Sequence, residues 1–321
     1  MIKNKKILIT GGAGFIGFNL AKKLSNSNKV YIWDNLSRGK KDVEFRNLLT
    51  KKNIFFSNIN LNKIIISKIK NLDFIFHLAG TVGVQNVEKK SFYTFTNNIN
   101  ATINLINFVK KNNKKAKLII FSTSEVYSNT IKRKNFRFPI SEKNPVIINN
   151  KIIDRDSYFL SKIFNEKLVQ LSGLEYLILR PHNIYGPRMG YSHVIPELIK
   201  KFKNEKERKI KFTEVFSPKH KRAFCYIDDA IHQILSLANK TSLKNDVFNI
   251  GNMREEVEIF KLANKLKSLI FKNSKIKKGT ITLGSPERRV PDMKKTLKSI
   301  PYKKFINLNE GLMRTYEWYS Q

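Results

Sequence analysis

The chain is poor in acid and nearly free of cysteine. Its 321 residues hold 25 aspartates and glutamates against 61 lysines and arginines, a formal net charge of +36, and one cysteine, Cys225. A single thiol excludes an intrachain disulfide and any cysteine-cluster metal site. None of the five histidines pairs with another at a spacing that builds a metal centre, so no metal is expected. No apolar run is long enough to span a membrane, and the segment after Met1 is already used as a strand, so the expectation is a cytoplasmic protein with no membrane partner. Internal repeats and low-complexity linkers are also missing. The excess of positive charge invites comparison with nucleic-acid binders. The lysines, however, are spread along the whole chain among asparagines and isoleucines, neither gathered in one block nor interleaved with stacking aromatics. No nucleic-acid partner is expected, and the charge is read as an attraction for anionic substrates.

What is present is organised around Ile7 to Gly17, Ile-Leu-Ile-Thr-Gly-Gly-Ala-Gly-Phe-Ile-Gly, a short apolar strand that runs into a turn with glycines at positions 11, 14 and 17. Gly11 lets the chain turn out of the strand, Gly14 lets backbone N–H groups approach a pyrophosphate, and Gly17 lets the helix from Phe15 to about Ser25 pack on the strand with its positive end toward the phosphates. The next strand, from Lys29, ends in Asp34, where a carboxylate would hold the adenosine ribose hydroxyls. An acid there repels a 2′-phosphate and favours NAD over NADP; nearby Arg38 is the one feature that would suit NADP.

Strand and helix then alternate. Strands are expected at Asn53–Ser57, Leu72–Gly80 and Leu118–Ser124, and helices at Lys63–Lys70 and Phe92–Lys111. This pattern predicts an α/β protein with a parallel sheet covered on both faces, long enough to bury a full core. Chemistry in such sheets gathers at the carboxyl ends of the strands. Ala79 and Gly80 are small at one such end, where a cofactor could lie over them, and Thr123, Ser124 and Glu125 stand at another. Some thirty residues later Ser157 opens a helix to Leu171 on which Tyr158 and Lys162 share a face. An ammonium near a tyrosine hydroxyl lowers the phenol pKa and makes it a usable general base.

Taken together these segments resemble the extended short-chain dehydrogenase/reductases that act on nucleotide sugars. The resemblance covers nearly the whole chain and rests on Thr10-Gly-Gly-Ala-Gly-Phe-Ile-Gly, His77-Leu-Ala-Gly, Asn97-Asn98, Ser122-Thr-Ser-Glu-Val-Tyr, Tyr158-x-x-x-Lys162, Arg180-Pro-His-Asn-Ile-Tyr-Gly-Pro-Arg, Arg222-Ala-Phe-Cys-Tyr-Ile-Asp-Asp and Arg288-Arg-Val-Pro-Asp. It implies a Rossmann-type doubly wound sheet over 1–180, followed by a smaller nucleotide-sugar lobe over 181–321 with some segments returning to the main sheet. It implies NAD held by Gly11, Gly14, Phe15, Ile16 and Gly17, by Asp34, Asn35, Asn58 and Ile59, and by Leu78, Ala79, Gly80 and Asn98, together with Tyr158 and Lys162. Tyr158 would take the proton of the sugar 4-hydroxyl, Thr123 would hydrogen-bond that oxygen, and Lys162 would hold the nicotinamide ribose. Ser124, Asn183, His193, Arg222 and Arg289 would face the substrate, with Asn183 and Arg222 on the diphosphate of a UDP-, GDP-, CDP- or dTDP-sugar. Arginine's planar fork suits such oxygens. Two departures stand out: Ser57-Asn58 replaces an aspartate usual against the adenine, and Ser128 a glycine usual after Val-Tyr.

Glu125 divides the reactions this resemblance allows. C4 epimerisation leads, because the stretch from His182 to Pro187 and His193-Val-Ile-Pro look like epimerase relatives. Nucleotide-sugar 4,6-dehydration and nucleotide-uronate decarboxylation remain as alternatives, since Thr-Ser-Glu occurs in both groups and Arg155, three before Tyr158, resembles the decarboxylases. A dinucleotide sensor or RNA-associated protein is the non-enzymatic alternative, disfavoured because a sensor has no need of a general base. The apolar-faced helices at Phe92–Lys111 and Tyr158–Leu171 correspond to helices that join subunits in similar enzymes, so the resemblance implies a homodimer about a two-fold axis.

Overall fold

A computed structural model describes residues 2–82, 90–282 and 284–321. They divide into two compact units: Met1–Asn129, Val146–Pro181 and Ile231–Phe248 form the first, and Thr130–Pro145, His182–Ala230 and Asn249–Gln321 the second. The chain crosses from one unit to the other five times, and after the expected boundary at 180/181 the segment Ile231–Phe248 returns to the first unit.

In the first unit seven strands hydrogen bond into one sheet. β1 (Lys6–Thr10), β2 (Lys29–Asp34), β3 (Ile54–Asn58), β4 (Phe74–His77), β5 (Lys117–Phe121) and β6 (Tyr176–Pro181) run parallel in the order β6-β5-β4-β1-β2-β3, and the strand Asp246–Ile250 lies outside β6. Ile7, Leu8 and Ile9 of β1 and Leu118 to Phe121 of β5 are buried, as an unbroken apolar run must be when helices cover both faces. One face is covered by the helix Ser91–Asn112, whose Leu105, Phe108 and Val109 enter the core; the Phe108 ring lies 5.0 Å from that of Trp33 on β2. Each such side chain contributes about 1.5–3 kcal/mol by leaving water. The strand order reverses between β1 and β4, and crevices that bind ligands open at the carboxyl ends on either side of such a switch.

Observed boundaries differ from the expected ones by at most three residues, except at 63–70. That stretch is not a helix. Ile65 and Ile69 do pack against the core at helical spacing, yet three successive β-branched residues, Ile64 to Ile66, resist helix formation, and Ile64 and Ile66 point into solvent.

In the second unit Lys221–Ala223 is the central strand of a three-stranded sheet, antiparallel to Glu256–Glu258 and parallel to Arg288–Arg289. The helices Val194–Lys206 and Ile259–Ile270 pack on each other, and Leu198, Ile199, Phe202, Leu262 and Leu266 are buried on them. Buried Glu205 accepts hydrogen bonds from the Thr213 and Ser274 hydroxyls and from the Lys275 N–H, which fixes the paired strands Thr213–Val215 and Ile276–Lys278 to the first of these helices.

Candidate active site

The glycine turn leaves β1 at Gly11, whose φ of +70° only glycine adopts without strain, and a Cβ there would stand 2.7 Å from the Ala79 nitrogen. A Cβ on Gly17 would stand 2.3 Å from the Gly11 carbonyl oxygen, so the helix Phe15–Leu24 can begin against the turn only because that atom is missing. Asp34, 8 % exposed at the end of β2, accepts the Ala13 N–H at 3.0 Å on one oxygen and the Leu36 N–H at 2.8 Å on the other. Its carboxylate therefore braces the turn, and each oxygen retains acceptor capacity. Asn58 is its register partner at the end of β3, and Ile59 packs on the core just beyond. The Asn35 side chain accepts the Ser37 N–H and shapes the loop that follows.

On the other side of the switch point, the Leu78 N–H bonds the Thr10 carbonyl and the Ala79 N–H the Thr10 hydroxyl, which turns the chain away from β4 at Gly80. A Cβ on Gly80 would lie 3.2 Å from the Asn98 amide oxygen and 3.5 Å from the Lys162 Nζ. The missing side chain thus uncovers both polar groups at the strand ends. That cradle, the glycine turn and the anchored Asp34 fit a dinucleotide. Asn98 is itself buried and held: its oxygen accepts the Thr81 N–H at 2.6 Å and its amide donates to the Ser161 hydroxyl at 3.0 Å.

Tyr158 and Lys162 lie one turn apart on the helix Asp156–Gln170. The Tyr158 phenol hydrogen bonds the Thr123 hydroxyl, which also accepts the Glu125 N–H at 3.2 Å, and Glu125 is near enough for its charge to act on the phenol. Ser124 is buried within the short 3-10 turn Ser124–Tyr127. Lys162 is 5 % exposed; its Nζ donates to the Phe121 carbonyl at 2.9 Å and lies 6.0 Å from the Tyr158 ring centre. The expected lowering of the phenol pKa by Lys162 is not what this geometry produces. Burial first, and then Glu125, raise the Tyr158 pKa, while the Thr123 hydrogen bond and the Arg38 guanidinium oppose the rise. Burial also lowers Lys162 to about 8, against the charge of Glu166.

Four residues of this neighbourhood had only weak sequence signals. Arg38, which donates to the Val82 carbonyl at 3.0 Å, reaches the field of Tyr158 from a loop of no fixed periodicity. His77, buried at the end of β4, contacts the Thr10 and Thr102 hydroxyls. Glu166 and Arg180 form a buried ion pair across helix and strand, for which the spacing of Glu166 one turn after Lys162 was the available hint.

In the second unit, Arg222 and Arg289 are register partners on adjacent parallel strands and so lie on one face of the three-stranded sheet. Arg222 donates to the carbonyls of Lys221, Pro286 and Glu287 and to the Ser285 hydroxyl, so it also organises the segment before Arg289. Asn183 takes a left-handed φ of 42° and donates to the Ala223 carbonyl, beside Arg222. His193 is exposed at the start of the helix Val194–Lys206. Among the described residues no cluster of histidine, cysteine, aspartate and glutamate could hold a metal, and no helix is long and apolar enough to cross a membrane.

Fold and glycine turn define a Rossmann-type dinucleotide-binding architecture, and comparison narrows it. The model of the NAD dependent epimerase/dehydratase family matches residues 7–251, so the chain belongs to that family, and it is an NAD-dependent enzyme. It is 29 % identical to a UDP-N-acetyl-alpha-D-glucosaminuronate decarboxylase of Bacillus cytotoxicus, over 99 % of this chain and 98 % of the relative, and 28 % identical to UDP-glucuronic acid decarboxylase 1 of Arabidopsis thaliana, over 97 % and 69 %. The crystal structure of UDP-glucuronic acid 4-epimerase from Bacillus cereus, in complex with UDP-glucuronic acid and NAD, superposes with a TM-score of 0.83 at 25 % identity over 98 % of this chain and 99 % of that one.

Proposed function

We propose that the chain oxidises C4 of a UDP-linked uronic acid and that the C6 carboxylate then leaves as CO2. The observation that carries this reading is the grouping of Thr123, Glu125 and Tyr158 at one strand end, above the buried amine of Lys162. The similarity to two decarboxylases of UDP-linked uronates over almost the whole chain moves decarboxylation ahead of simple epimerisation.

In this reading Asp34 and Asn35 receive the adenosine ribose, Asn58 and Ile59 flank the adenine, the turn from Gly11 to Gly17 takes the pyrophosphate, and Leu78 to Gly80, Asn98 and Lys162 border the nicotinamide riboside. When bound, NAD brings a cationic ring to the phenol and takes and returns the hydride at C4. Tyr158 accepts the proton of the 4-hydroxyl. The C4 ketone places the carboxylate β to a carbonyl; the C5–C6 bond breaks, its electron pair passes through C5 onto the C4 oxygen, and the hydroxyls of Tyr158 and Thr123 donate to that oxygen. C5 then takes a proton that solvent water supplies, with the Glu125 carboxylate beside Tyr158 as the relay, and Tyr158 returns its proton as C4 is reduced, so each CO2 released consumes one solvent proton. The cycle consumes no external reductant. Arg222 and Arg289, side by side, suit a diphosphate, with Asn183 and His193 as further donors and Ser124 beside the sugar.

C4 epimerisation remains the second reading, favoured by the likeness to the 4-epimerase of a uronate. Incubation with NAD and UDP-glucuronic acid, followed by mass spectrometry, separates the two: a product lighter by one CO2 is expected, whereas an isomer of unchanged mass overturns decarboxylation. The same reading includes a two-fold dimer through the helices Ser91–Asn112 and Asp156–Gln170. Phe92 is 80 % exposed and Phe164 46 %, and Phe95 meets Phe164 edge-on at 5.6 Å, a broad apolar surface for a monomer. Light scattering at micromolar concentration is expected to give twice the chain mass, and a monomer mass removes this part.

A further inference from the structure

Arg180 on β6 lies at the centre of a buried chain of polar groups. Its Nε and Nη2 donate to the two oxygens of Glu166 at 2.9 and 2.6 Å, and its Nη1 donates to the Tyr127 hydroxyl at 2.7 Å, with the guanidinium 4.8 Å from the Tyr127 ring centre. All three residues are at most 5 % exposed. Glu166 follows Lys162 by one turn, and Lys162 follows Tyr158 by one turn, so the three share a helix face. Tyr127 closes the 3-10 turn that carries Glu125. Arg180 therefore ties the turn bearing Glu125 to the helix bearing Tyr158. A buried ion pair of this kind stabilises little more than an apolar pair of the same volume, so fold stability alone is a weak reason for it.

We propose that Glu166 and Arg180 are positioning residues for Lys162: Glu166 supplies the negative charge that keeps the buried amine an ammonium, and Arg180 holds that carboxylate in place while bracing the Glu125 turn. The proposal rests on the reading of Lys162 as a group that meets the cofactor. The charged and titratable groups that face Lys162 are Tyr158 and Glu166 on its own helix and His77 at the end of β4, with Arg180 behind Glu166 from β6, while Glu125 on the turn and Arg38 on the loop after β2 act on Tyr158. Among them Glu166 is the one that raises the Lys162 pKa against burial. Its carboxylate is turned toward Arg180, so its help is partial, and the amine stays poised near pH 8.

The test follows the amine directly. NAD-bound enzyme labelled with 13C at the lysine ε-carbon is titrated by NMR, with the Lys162 signal identified by its loss in Lys162→Arg. In Glu166→Gln the Lys162 midpoint is expected to fall by about one pH unit, a tenfold loss of charged amine above it, and the alkaline limb of kcat should move with it while KM for the nucleotide sugar stays within about threefold, as expected for an effect outside ground-state binding. An unchanged midpoint overturns the proposal. A purely structural role is separated by Tyr127→Phe/Glu166→Leu/Arg180→Met, which replaces the whole polar chain with apolar groups. This triple variant should regain thermal stability yet keep the lowered midpoint; return of the wild-type midpoint also overturns the proposal. Should the enzyme turn over no nucleotide sugar, the proposed reaction fails, and the NMR midpoint still decides the role of Glu166 and Arg180.

Discussion

Tyr158→Phe is expected to lower kcat by about 10²–10⁴-fold, the range for loss of a positioned general base, with nucleotide-sugar affinity and thermal stability nearly unchanged. The substitution removes one oxygen from a residue whose ring keeps its place on the helix Asp156–Gln170. It also deletes the partner of the Thr123 hydroxyl, which retains its contact with the Glu125 N–H and so leaves the turn intact. Because burial and Glu125 raise the phenol pKa, the proton must be given up against the local field, and the cations around it carry correspondingly more of the burden. Steady-state assays together with isothermal calorimetry decide the matter: activity within threefold of wild type would place the base elsewhere.

His77 is expected to make the fold sensitive to acid. It is 2 % exposed, with Nδ1 at 2.8 Å from the Thr10 hydroxyl and Nε2 at 3.1 Å from that of Thr102. Thr102 gives its own proton to the Asn98 carbonyl, so it accepts from Nε2–H, and Nδ1 accepts from Thr10; the neutral ring is satisfied on both sides. Burial, and then the charge of Lys162, lower the pKa of the ring to about 3, against 6.5 for an exposed histidine. A folded pKa below the unfolded one contributes stability that is whole above pH 6.5 and is lost as the pH falls toward 3. At 1.36 kcal/mol for each unit, His77 alone removes about 3 kcal/mol between pH 7 and pH 4. Urea unfolding at these two pH values, compared between wild type and His77→Gln, isolates the effect from the carboxylates: the variant should lose about 3 kcal/mol less, and equal losses would contradict the assignment.

The first β-turn-helix, the alternation of strand and helix and the pairing of Tyr158 with Lys162 were legible because each depends on local rules: an apolar run between glycines, a period of 3.6, a spacing of four. What the sequence hid are relations set by tertiary register. Arg222 and Arg289 become neighbours only when two strands from distant parts of the chain pair in parallel. Arg180 stood in a motif as its first residue, with nothing to say that its side chain turns back to Glu166 and Tyr127. The Tyr158 shift runs opposite to the expected one because spacing supplies the distance to Lys162 but not the desolvation that outweighs it. Asp34, expected at the ribose, has a further duty in the structure, holding Ala13 and Leu36. The stretch 63–70 is no helix because consecutive isoleucines are stiff at χ1.

The strand Asp246–Ile250 gives the order of events during synthesis an importance of its own. It hydrogen bonds to β6, whose Leu177, Ile178 and Leu179 are fully buried, yet it is made long after β6. At about 5–20 residues per second, a ribosome needs several seconds to pass from Pro181 to Phe248. Throughout that interval the nascent sheet exposes an unpaired apolar edge, the template on which strands of other chains add. The late strand Asp246–Ile250 acts, in effect, as an internal cap that ends the growth of the sheet beside β6.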